Sequence, residues 1–126
     1  MKKAKINLVA GLKASAALAA IVGTRISDAW PSSTAVFPYV SYLQVSGIGE
    51  VADGKTIGFD EIYQVSLFAK PAPGQSATMV LENMAEAVLD VADELGMSMV
   101  GNSDLVLDDG SGVKHKPLRF RYVTRR

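Results

Sequence analysis

Residues 49–56 read GEVADGKT, a full match to the GxxxxGK[ST] pattern in which backbone N–H groups and a lysine cradle nucleotide phosphates. That chemistry needs a buried strand before the loop and a helix after it, because the free N–H groups at the helix start hold the phosphates. Thr56 is succeeded by IGFDEIYQVSLF, where Gly58 and the alternation of β-branched and aromatic residues predict a strand. A companion stretch, DLVLDD at 104–109, has the form of the apolar strand and aspartate that hold magnesium in such enzymes. It runs into Gly110-Ser111-Gly112, and Asp109-Gly110 is a favoured hairpin turn. The alternation of strands and helices that builds a doubly wound parallel sheet is also missing. A nucleotide-binding enzyme is therefore the alternative reading of this chain and not the leading one.

The other residues with chemical potential are few. His115 is the only histidine, which excludes a histidine metal cluster, and between Lys114 and Lys116 it reads as a solvated strand residue. With no cysteine, thiolate sites, cysteine nucleophiles and disulfides are excluded together. Ser32, Ser33 and Ser41 lack the GxSxG context of a nucleophile elbow. Glu82, Glu86, Asp90 and Asp93 fall on one face of a helix, and their plainest use is a solvated acidic face. Trp30, Phe37 and Tyr39 read as a loop packing onto a sheet. No catalytic, cofactor-binding or metal residue is assigned.

The elements that carry these residues emerge from periodicity. In MKKAKINLVAGLKASAALAAIVG, Leu8, Leu12, Ala16, Ala19 and Val22 share one side, which predicts a single amphipathic helix stopped at Gly23. Lys13 interrupts the apolar run, so this is a packing helix rather than a secretory signal or a membrane span. DAWPSSTAVFP reads as a loop, and YVSYLQVS as a strand apolar on both faces. FDEIYQVSLFAK alternates with period two, with Phe59, Tyr63, Val65 and Leu67 on one side, and should pair antiparallel with its predecessor. The glycine-rich GIGEVADGKTIG between them reads as a flexible loop over 46–58.

Beyond PAPGQ, Ser76 is a fitting N-cap, and Val80, Met84, Ala87, Val88, Val91 and Leu95 form the stripe of a second helix closed by Gly96. Two tail strands come next, MSMVGNSDLVLDD and VKHKPLRFRYV; in the latter, Leu118, Phe120 and Tyr122 oppose Arg119 and Arg121. The expected fold is one α+β domain over 1–126, of order α-β-β-α-β-β, with flexible ends at about 1–5 and 124–126. Two helices would pack on one face of a mainly antiparallel sheet of four or slightly more strands.

Charge is neutral in sum and segregated along the chain. Residues 1–49 hold five bases and one acid, residues 50–109 two bases and twelve acids, and residues 110–126 six bases. The basic end, with Lys114, Lys116, Arg119 and Arg121, would suit a small nucleic-acid-binding module as a further alternative, but no aromatics are interleaved on its polar side. Complementary surfaces for self-association are the stronger reading, with Glu82, Glu86, Asp90 and Asp93 as one candidate surface and the four basic residues as the other.

From Leu8 to Val123 the order of elements and several stretches resemble the tail-completion, tail-to-head joining or tail-terminator proteins of long-tailed phages. The carriers are AALAAIVGTRISDAWP, FPYVSYLQVS, YQVSLFAK, MVLENMAEAVLDVADEL and HKPLRFRYV. The resemblance implies a structural role without catalysis or cofactor. It implies a homo-hexameric ring that caps the head-proximal end of the tail tube and joins it to the head completion or connector protein. DNA would pass through the ring without sequence-specific contact, and no membrane is involved. Its location would be the virion, at the head-tail interface, with host cytoplasm as the place of assembly. The loop around Gly49, Glu50, Asp53 and Lys55 would then lie on an inter-ring or lumen surface.

Overall fold

Why the first helix is not continuous is settled by one serine. In the computed structural model, which describes residues 2–31, 35–106 and 112–125, α1 spans Lys2–Ala14 and α2 spans Ala16–Val22, with a bend of 70° between them. Ser15 sits extended at the elbow and its hydroxyl accepts the Leu18 N–H, capping α2. The break resets the buried phase. Leu8 and Leu12 face the core from α1, but Leu18 and Val22 do so from α2, and Ala16 and Ala19 of the expected stripe are exposed. Residues 2–5, expected as a loose end, form the first turn of α1.

The sheet has six strands: β1 (Ile26–Ser27), β2 (Tyr39–Ala52), β3 (Lys55–Ala69), β4 (Ser98–Asn102), β5 (Leu105–Val106) and β6 (Lys114–Arg125). Their spatial order is β1-β2-β3-β6-β4, with β5 pairing the beginning of β6. All pairs are antiparallel except the two-residue β1, which runs parallel to β2. The mixed α+β architecture matches the sequence expectation; the described helices number three and not two, and the sheet of four or slightly more strands has six.

The stretch 46–58 corrects the expected loop. It is ladder: Gly47 pairs with Glu61, Gly49 with Phe59 and Ala52 with Lys55. Only Asp53 and Gly54 turn, with φ of 52° and 74°, the two positive values that a type I′ hairpin demands. Likewise β6 continues to Arg125 through the residues expected as a loose C-terminal end. Two register shifts, between Gln44 and Ser46 and between Glu50 and Val51, place one extra residue in each strand of the hairpin.

The long helix α3 (Ala77–Glu94) keeps closely to its sequence reading. Ser76 accepts the Met79 N–H, and at the other end Met97 N–H reaches Ala92 C=O while Gly96 N–H reaches Asp93 C=O. That pair of bonds is a Schellman motif, with Gly96 at φ 74° and Met97 buried behind it. Leu81, Met84, Val88 and Ala92 face Tyr63, Val65 and Leu67 of β3 and Leu118 and Phe120 of β6, with Leu8, Leu12, Leu18 and Val22 completing one core. All three helices thus cover one face of the sheet. No single helix among the described residues is long and apolar enough to cross a membrane.

Candidate assembly surfaces

The GEVADGKT stretch lacks the geometry for phosphate. Lys55 and Thr56 already belong to β3, not to a helix, and the backbone of Gly49, Val51, Ala52, Lys55 and Thr56 is committed to rungs of the β2-β3 ladder. Within DLVLDD, Leu105 and Val106 form β5, but Asp108, Asp109 and the Gly110 turn lie outside the described residues, as do Ser32 and Ser33. Among the described residues no three acidic or histidine side chains converge on a metal-sized site.

Side-chain direction divides the eight residues expected to form charged surfaces into three groups. Along β6, Lys114 and Lys116 point to the helical face, and Lys114 Nζ donates to Thr78 Oγ1 at 2.9 Å. Lys116 is buried, against expectation, and its Nζ lies 3.1 Å from both Glu82 Oε1 and Asp104 Oδ1. Burial pulls the Lys116 ammonium pKa down, but the hydrogen bonds and charges of Asp104 and Glu82 outweigh it and leave the group above its ordinary value. Lys116 and Glu82 therefore satisfy each other inside one chain. Glu86, Asp90 and Asp93 remain on α3 with no ion-pair partner among the described residues.

Arg119 and Arg121 project from the opposite face of the sheet, where no described helix covers them. Arg119 Nε donates to Gln64 Oε1 at 3.1 Å, and Arg121 grips Asp60 with two bonds of 2.9 and 2.5 Å. The Arg121 hydrogen bonds hold the Asp60 carboxyl below its usual pKa range. Farther along the same face Glu50, Gly58 and Arg125 stand in one row across three strands. Because Gly58 has no side chain, Glu50 and Arg125 reach over it and pair.

His115 is a second correction. It is buried, stacked on Phe68 at 4.4 Å between centroids, and met edge-on by Trp30 at 5.3 Å. Burial lowers its imidazole pKa, favouring the neutral ring. Trp30 packs on the sheet as expected, edge-on to Phe68 at 4.9 Å, yet 55% of it stays exposed. The sequence reading also missed Glu61, fully buried on the helical face, where the Tyr63 hydroxyl donates to its Oε2. Burial, then the bond to Glu61 and its charge, push the Tyr63 hydroxyl pKa up. Alternation along β3 carried the signal for Glu61, since Phe59, Tyr63, Val65 and Leu67 share its side.

Beyond the helical layer the β2-β3 hairpin runs on with most side chains in solvent. Ile48 and Val51 are 65% and 67% exposed, and Gly49, Asp53 and Lys55 stand out with them, whereas Glu50 is partly covered by its pairing with Arg125. Two apolar side chains this exposed make the projecting hairpin a candidate contact surface.

A molecule with exposed apolar edges, charges sorted by face and no convergent reactive groups among the described residues is built like a structural part of an assembly. Over 94% of this chain and 92% of the other, it is similar to a chain in a solved structure described as the virion of a native gene transfer agent particle, with 26% identity and a TM-score of 0.64. A family model described as tail completion protein gp17 matches residues 6–125, and the chain belongs to that family. It is thus a structural tail protein, located in the virion. No curated protein matches the chain.

Proposed function

We propose that this protein closes the head-proximal end of a phage-like tail tube and joins it to the head connector as a six-membered ring. The family match over residues 6–125 carries the reading, since completion of a tail is a structural task at one of its ends. A ring of identical subunits uses heterologous contacts, for which each copy needs two different surfaces. The unlike edges of the sheet, β1-β2 on one side and β4 on the other, are consistent with that need. Its partners in this reading are further copies of itself, the tail tube protein and the head completion protein, met in the host cytoplasm, with DNA passing through without sequence-specific contact. The hairpin around Gly49, Glu50, Asp53 and Lys55 would face the adjoining ring or the lumen.

Tails assembled without this protein and viewed by electron microscopy provide the test. Adding purified protein should place a ring at one tube end and restore joining to filled heads. Binding along the tube wall, or at the tip far from the head, would overturn the proposal.

A further inference from the structure

The two edges of the sheet bear unlike helical stripes. At the β2 edge, Lys5, Ile6, Val9, Ala10 and Lys13 occupy one side of α1 and form a groove with Tyr42 and Leu43. At the β4 edge, Glu82, Ala85, Glu86 and Leu89 occupy one side of α3 and form a second groove with Met99 and Asn102. Both stripes are apolar at the centre and charged along the margin, and Ile6 is 54% and Met99 42% exposed. Their signs are opposite: α1 contains four lysines and no acid, α3 five acids and no base.

Local pairing leaves these charges available. Asp28 lies on the rim of the first groove, and Lys116 in the second is already held by Glu82 and Asp104. Lys5, Lys13 and Glu86 have no ion-pair partner among the described residues. We infer that the occupant of each groove is a second copy of this chain, the lysine stripe of α1 docking on the acidic α3-β4 groove of its neighbour. Ile6 then meets Leu89 and Met99, and Lys13 faces Glu86. Since the two stripes lie on opposite edges, every copy uses both, and the contact repeats head to tail. This rests on the ring proposed above and specifies which surfaces close it.

The absence of native cysteine makes the contact directly testable. Ile6→Cys and Leu89→Cys chains are prepared separately, mixed and mildly oxidised, both free and bound to tails. The mixture should give a disulfide dimer in about tenfold greater yield than either chain alone, as a heterologous contact requires. Lys13→Glu on the Ile6→Cys chain should cut that yield about threefold at low salt, and Glu86→Lys on the Leu89→Cys chain should restore it. Rings on tails with no excess of mixed dimer would overturn the interface while leaving the terminator reading intact. Mixed dimers from a protein that ignores tail tubes would do the reverse.

Discussion

Gly58 offers a sharp test of how the projecting hairpin is braced. A Cβ there would lie 2.3 Å from the Thr124 carbonyl oxygen and 3.3 Å from Arg125 Cα, both backbone atoms that no rotamer change can move aside. Comfortable contact is near about 3.5 Å, so Gly58→Ala must push β6 away by about an ångström. Relief is available because β6 ends at Arg125 and its last rungs, Phe59 to Thr124 and Gly58 to Arg125, can peel. Losing two such bonds costs about 1–3 kcal/mol, and the exposed Glu50 and Arg125 pair adds about 0.2–1 kcal/mol. The smaller entropy of an unfolded alanine chain returns about 0.4–1 kcal/mol. The net loss lies between about 0.2 and about 3.6 kcal/mol, and a value at the centre, about 2 kcal/mol, lowers Tm at this chain length by roughly 6–10 °C.

Calorimetry would measure that loss, with Gly49→Ala as the control, since its nearest neighbour is the Thr56 methyl at 3.8 Å. The control should stay within about 0.5 kcal/mol of the parent. Hydrogen exchange should quicken at 58–60 and 122–125 while α3 keeps its protection. An unchanged midpoint and unchanged exchange for Gly58→Ala would refute the steric argument.

The remaining expectations are briefer. Burial lowers the His115 pKa, so the unfolded chain takes up a proton more readily than the folded one, and stability should fall as pH drops below about 6.5, by at most about 1.4 kcal/mol per unit. Urea titrations of the parent and of His115→Phe should show that slope shrinking in the variant. Ser15→Ala removes the α2 cap and should cost about 1 kcal/mol in the same titration. Nucleoside triphosphate with magnesium should shift the Tm of neither the parent nor Lys55→Ala; a shift in the parent that the variant loses would revive the phosphate-binding reading.

How much the sequence disclosed depended on how local each determinant is. Every signal for α3 lies within its own span: the Ser76 cap, the apolar stripe and the Gly96 stop. The alternation of Leu118, Phe120 and Tyr122 against Arg119 and Arg121 is equally local, and the structure keeps it. The elbow at Ser15 escaped because alanines on both sides carry the helical period straight through it. Burial of His115 and Lys116 escaped for a different reason. It depends on their rungs, opposite Phe68 and Leu67, and on Trp30 arriving from a distant loop. The glycine-rich composition of 46–58 suggested a loop, yet two of its glycines serve the ladder by being small: Gln44 folds over Gly47, and the backbone of Thr124 crowds Gly58.

Charge was the least legible layer. Counting by segment set an acidic middle against a basic end, but consecutive residues of β6 leave the strand in opposite directions. Lys116 consequently neutralises Glu82 of its own chain, and Arg121 neutralises Asp60. Glu86, Asp90 and Asp93 of α3 keep no ion-pair partner among the described residues, and they are the acids that the proposed contact would use.

The two bulges in the hairpin have a consequence for the unassembled subunit. Beyond Ser41 the outer edge of β2 has no neighbouring strand among the described residues, and long bare edges invite fibrous stacking of identical chains. An extra residue in each strand coils the ribbon more tightly, so that two such edges cannot lie flush along their length. The same irregularities that would look like defects in a flat sheet thus work against edge-to-edge stacking of free copies.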